Sequence, residues 1–299
     1  MKYILPFVEK RGVNVISAIR WNMSLMMKKK TMLISFSVML LFSLFNVVYS
    51  ILRETNNGYS KTVDSFMGYL LFEGNPLLSV LYFLIPIIII LPYSTIGFTN
   101  SKSHVSSIQK IRFGIKKYYV SQYVTSFIGG FIVVFFPLLI GTIFNIIFLP
   151  SSKNVFNGNT FFVYLTQLSW KNYKSTNNPY SFFLPELFFD HPFLHILIFI
   201  FAFSVFSGLL SGLIYTFSFV IRKKAINAIL LLEVLFFFSL LYKNKHNSLT
   251  TQNYNPIDYF TINSAPGKSL IIFLIVIFLI IILTVILLYK QIKRDQFED

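Results

Sequence analysis

Cysteine is absent from this 299-residue chain, which excludes disulfides and thiolate-held zinc. Charge is scarce: 12% of residues are Asp, Glu, Lys or Arg, against roughly 25% in soluble domains. Acids are scarcer still, 11 against 26 lysines and arginines, for a net charge of +15. A phosphate-binding loop is missing as well. Gly267, Lys268 and Ser269 resemble its end, but position 262 is Ile where the motif needs Gly. His104, His191, His195 and His246 make no HExxH pattern, and no GxSxG occurs. Neither a metal site nor an enzyme is expected.

What fills the chain is apolar. Hydrophobic residues make up 55% and aromatics 18%, with a mean hydropathy of +0.66. A water-soluble fold would leave much of this surface exposed in contiguous patches. Six runs are long enough to cross a bilayer: 32–52, 77–98, 119–149, 193–221, 225–242 and 269–289. The last has no charge in 21 residues, and at 1.5 Å per residue it matches a hydrocarbon core of about 30 Å. The run 119–149 exceeds that thickness, so tilt or a kink at Pro137 is expected. Segment 3–8 is short and interrupted by Pro6, unlike a removable signal sequence. The bias toward Ile, Phe, Asn and Lys is that of an AT-rich bacterial genome.

Charge placement tests the division into spans. Segments 1–31, 99–118, 222–224 and 290–299 hold 18 Lys and Arg in 64 residues, whereas 53–76, 150–192 and 243–268 hold 8 in 93. The dense segments alternate with the sparse ones, so the positive-inside rule places both chain ends in the cytoplasm. The expected fold is an all-α membrane protein of six transmembrane helices, 32–289, in a bacterial cytoplasmic (inner) membrane. Residues 1–31 form a cytoplasmic N-terminus with an interfacial helix, and 290–299 a cytoplasmic tail. The basicity follows the topology, so nucleic acid is not an expected partner.

Within 12–30, Ile16, Ile19, Met23, Met26 and Met27 recur at helical spacing, while Arg20 and Lys28 to Lys30 suit anionic membrane lipid. In 99–118, Val105, Ile108, Ile111 and Ile115 fall three or four apart, with Ser106, Ser107, Gln109, Lys110 and Arg112 beside them. That pattern fits either a docking ridge for a partner or a solvated retention loop. The outer segments carry a stripe at Val63, Phe66, Met67, Leu70 and Leu71, and many aromatics within 150–192. These aromatics either cap a substrate path or occupy the membrane interface.

Glu233 is the one ionisable residue well inside a span, with Asn227 on nearly the same side. An acid at a helix centre costs about 2.5–3.5 kcal/mol on insertion scales, so it faces the bundle or water. It reads as a path residue, a coupling residue or a structural partner. Ser207, Gly208, Ser211 and Gly212 form overlapping small-xxx-small patterns, and Gly129 and Gly130 add to them. Such residues let helices approach closely in lipid.

The layout resembles the membrane subunit of ABC-2-type exporters. The likeness lies in the amphipathic entry helix, two spans, a basic loop, two long spans, a short basic turn and two further spans. Locally it rests on Arg112, Lys116, Lys117 and Tyr118 leading into the third span, and on LPYSTIGF at 91–98. Ser103, His104 and Val105 stand where the family usually has an acid and a glycine. The resemblance implies that Ser106, Ser107, Ile108, Gln109, Lys110, Ile111 and Arg112 belong to a loop coupling the chain to a separate ABC ATPase. Two ATPase copies and a second permease subunit, identical or homologous, would complete the unit. ATP and Mg would bind in the ATPase, and this chain would hold no cofactor. The cargo would be an apolar or amphiphilic peptide, drug or lipid-like compound. Rival readings are an immunity or sensor protein binding an antimicrobial peptide, and an ion-coupled transporter using Glu233.

Overall fold

The computed structural model describes residues 14–56, 69–71, 77–96, 104–149, 184, 187, 191–219 and 270–297. Within these residues regular structure is entirely helical. The helices are α1 (Val15–Met27), α2 (Lys30–Asn56), α3 (Leu77–Ile90), α4 (His104–Phe113), α5 (Ile115–Phe148), α6 (Pro192–Phe217) and α7 (Leu270–Phe297). Four contain stretches long and apolar enough to cross a membrane: Lys30–Leu52, Ile115–Phe148, Phe193–Phe217 and Leu274–Gln296. The described residues are thus those of an all-helical protein, and its four apolar helices suggest a multi-pass membrane protein. In lipid each backbone N–H and C=O must be satisfied within the protein, and a helix does this within one segment.

The second apolar run is regular helix only as far as Ile90, and Leu91–Thr95 form a turn. The helical part is 14 residues with Pro86 inside, about 21 Å at 1.5 Å per residue. Pro92 has no N–H to continue the ladder and disfavours helical backbone at the residue before it. The turn is buried in spite of its polar backbone: Pro92, Tyr93 and Ser94 are all enclosed. A hydroxyl from another helix meets one carbonyl of the broken end. Ser211 Oγ donates to Ile89 O at 3.0 Å.

The third run is a single helix of 34 residues, Pro137 included. At about 51 Å it exceeds the hydrocarbon thickness of about 30 Å. Its start is set by Gly114, whose φ of +80° lies where only glycine sits without strain. Gly114 N–H donates to Lys110 O at 2.7 Å, closing α4, and Gly114 O accepts from Tyr118 N–H at 2.9 Å, opening α5.

Helix α5 is the centre of the bundle, packing against each of the other six helices. Its most extensive partner is α6. The two run antiparallel: Phe131 meets Phe201 with ring centroids 5.9 Å apart, and Tyr119 meets Phe219 at 5.3 Å. Helix α2 runs parallel to α5: Met26, just before α2, lies against Gly129, and further along a Cβ on Gly141 would strike Ser43. The core between them and α3 includes Met39, Leu81, Ile85, Ile89, Val133, Val134, Ile200 and Ile214. Leu70 and Leu71 of the predicted outer stripe join that core, with Tyr69 beside them. Val63, Phe66 and Met67 lie outside the described residues.

The expected N-terminal helix is present, but its apolar stripe is divided. Ala18, Asn22 and Met26 form its buried face, while Ile16 and Met27 are 65% and 59% exposed. The face is chosen by fit to α5 as well as by apolarity. Met26 Sδ lies over Gly129, and Asn22 Nδ2 donates to Ser121 Oγ at 3.0 Å.

Candidate functional site

One end of the bundle collects the start of α2, the end of α3, all of α1 and α4, the start of α5 and the ends of α6 and α7. Every lysine and arginine whose side chain is described lies there. These cations are set among aromatic rings. Arg112 lies 5.7 Å from the centre of the Trp21 ring, joining α4 to α1. Lys29 stands 5.3 Å from that of Tyr93, and its burial lowers its pKa from the ordinary lysine value. Beneath them, Tyr118 and Tyr119 pack edge to face at 5.0 Å, and Phe219 contacts both Tyr119 and Tyr215.

Helix α4 is ten residues long, with Lys110 and Arg112 in its last turn, where cations favour the negative end of the helix dipole. Its two sides differ sharply. Ile108 is 63% and Ile111 is 86% exposed, on one face, with Ser107 and Arg112 also open. Ser106, Gln109 and Lys110 are half-buried, and Phe113 is buried. Ile115, expected to continue the α4 stripe, falls beyond the Gly114 break and packs on the core. The side chain of Val105 is not among those described.

Lys110 turns inward to Asp295 near the end of α7, forming an ion pair with Nζ 2.5 Å from Oδ2. Tyr119 Oη donates to the same carboxylate oxygen. Gln291 Nε2 donates to Asp295 Oδ1 at 2.8 Å and to Tyr119 Oη at 3.1 Å. Three helices, α4, α5 and α7, therefore meet on one carboxylate, which is only 8% exposed. Sequence reading missed this group. Asp295 sits among Lys290, Lys293 and Arg294 and looks like a solvated tail residue. The available signal was its four-residue spacing from Gln291, which places both on one face of a helix.

Deeper in the bundle, Ser94, Ser126 and Ser211 form a buried hydroxyl group linking the turn after α3 with α5 and α6. Their Oγ atoms lie 2.6 Å (Ser94–Ser126), 2.7 Å (Ser94–Ser211) and 3.2 Å (Ser126–Ser211) apart. The small residues singled out on α6 lie along this seam. A Cβ on Gly208 would be 2.8 Å from Phe127 O, and one on Gly212 would be 2.6 Å from the Tyr123 ring. Ser207 Oγ donates to Phe203 O within its own helix at 2.8 Å. Glu233 and Asn227 lie outside the described residues, as do His246, Gly267 to Ser269 and most of the aromatic segment 150–192.

His104 opens α4, His191 caps the start of α6, and His195 is buried with its ring 4.6 Å from that of Phe199. Among the described residues no three His, Cys, Asp or Glu side chains gather into a metal-holding group. No protein-family model, curated protein or solved structure matches the chain.

Proposed function

We propose that this chain is the membrane subunit of an ATP-driven exporter of the ABC-2 type, and that α4 is the element on which a separate ATPase docks. The observation that carries the reading is the open face of α4. Two isoleucines stand exposed on a short helix outside the long apolar spans, beside Arg112 and Ser107. An apolar ridge of this kind, edged by polar groups, is the surface an apolar groove on a partner recognises. In this reading ATP and Mg bind only in the partner, present in two copies, and a second permease subunit completes the path. This chain supplies recognition and the route for an apolar or amphiphilic cargo.

The membrane scheme behind the proposal is six spans with the basic end in the cytoplasm of a bacterial cell. Helix directions support it. α6 and α7 run parallel, since Gly212 and Phe219 of α6 and Thr284 and Asp295 of α7 succeed one another along Tyr123 and Tyr119. Phe219 and Leu270 therefore lie at opposite ends of the bundle, which accords with the crossing that the six-span scheme assigns to 225–242. The concentration of cations at one end accords with the positive-inside rule.

The test is affinity purification of the tagged chain from its native host. An ABC ATPase is expected to come with it. Ile108→Asp or Ile111→Asp should remove the ATPase while membrane insertion persists. Each buried isoleucine contributes about 2 kcal/mol to an interface, so either change is expected to weaken capture by roughly 30-fold or more. Retention of the ATPase by the double variant, or no ATPase with the unaltered chain, defeats the docking assignment.

A further inference from the structure

We propose that Asp295 is the positioning residue of α4: a carboxylate on the last helix holds Lys110 and sets the pose in which Ile108 and Ile111 are presented. As a statement about α4 and α7 the proposal stands alone; its meaning for a partner rests on the docking function above. Ten residues are too few for a stable isolated helix in water. The exposed isoleucines of α4 do nothing to hold it down. Its attachments include buried Phe113, Arg112 against Trp21, the covalent link through Gly114, and Lys110. A glycine link allows a change of direction without enforcing one. The Lys110 contact ties α4 to α7, 185 residues further along the chain.

The acceptor is built for the task. Tyr119 and Gln291 both donate to Asp295, so two neutral groups fix the carboxylate that Lys110 meets. The ammonium group is further steadied by the Tyr119 ring, whose centroid is 5.4 Å away. An ordinary solvated acid at a helix end would have neither the burial nor three donors. Asp295 is also the only carboxylate among the described side chains. Above it α7 touches the bundle along a narrow stripe, with Thr284 and Gln291 as its other buried residues. Asp295 thus ties the inner end of α7 to both α5 and α4.

Hydrogen exchange on the full-length chain in lipid nanodiscs, without any partner, tests this. In Asp295→Asn, and separately in Lys110→Gln, the amides of 104–113 should exchange about 10-fold faster. Amides of the α5–α6 seam should keep their protection. Lys110→Arg, which preserves the charge, should restore protection to within about threefold of the unaltered chain. Unchanged exchange in α4 for both charge-removing variants overturns the proposal, as does an equal rise throughout α5 and α6. If Asp295→Asn fails to insert, the two Lys110 variants decide. Because no ATPase is present, failure of partner capture cannot be mistaken for failure of the latch.

Discussion

The α5–α6 seam and the α4–α7 junction both join helices through polar atoms, yet they are built on opposite terms. The seam has no charge. Glycines at 130, 208 and 212 bring backbone and side chains together, and Ser94, Ser126 and Ser211 satisfy one another at the point of closest approach. The junction uses an ion pair with a tyrosine and an amide, at an end where Lys110 keeps 28% of its side chain exposed. Close packing in lipid is non-negotiable in geometry, because nothing else fills a gap or relieves a clash. A partly hydrated ion pair tolerates small movement and loses strength gradually. The comparison teaches that the seam determines whether the bundle exists, while the junction determines how one short helix is held on it.

Substitutions that enlarge the seam should therefore have the greatest effect. Gly130→Leu would place a Cβ 2.6 Å from that of Ser211 and 3.0 Å from Ser207 O. Overpacking of this kind costs about 3 kcal/mol or more, and thermal unfolding in detergent should show a large fall in Tm with loss of the folded-protein peak in size-exclusion chromatography. Ser211→Ala comes next. It removes the hydroxyl whose single proton has Ile89 O and Ser126 O within hydrogen-bond reach, and interhelical hydrogen bonds in membranes are worth about 0.6 to 1.7 kcal/mol. A moderate fall in Tm is expected, together with faster exchange near 86–96; no change there would mean the broken end of α3 finds its partners elsewhere. Arg112→Gln, which loses the contact with Trp21, is expected to cost about 0.5 to 1 kcal/mol. Its effect should be confined to 104–113 and the α1 amides. A global loss of stability from Arg112→Gln would erase the distinction between the two regions.

Much of the architecture was legible in advance. Four of the predicted runs appear as apolar helices of membrane-spanning length, and the run at 77–98 starts as helix at its predicted position. Hydropathy succeeds here because lipid imposes a single rule along each segment. It says less where the chain leaves regular helix. The turn at 91–95 lay inside an uninterrupted apolar run, marked only by Pro92. The division of α4 from α5 at Gly114 is equally local, and it separates Ile115 from the stripe to which spacing assigned it. The N-terminal stripe also divided, since Met26 found a hollow over Gly129.

The site was legible in part. Spacing and composition singled out 106–112 as a short amphipathic element, and the small residues of α6 stood out by their repeat. Asp295, Gln291 and Tyr119 did not, because they are separated from Lys110 by up to 185 residues and, together with it, are spread over three helices.

The order of apolar runs, the asymmetry of the cations and the break-prone glycine and prolines are properties of the chain read alone, since each depends only on neighbours in sequence and on the solvent they require. Which face of each helix turns inward, which hydroxyls meet, and that one acid near the C-terminus clasps a lysine from the middle of the chain were decided by the tertiary structure. The physical reason is range. Solvent preference acts on each segment separately, whereas hydrogen bonds and close packing act over a few ångströms and exist only once the helices are side by side.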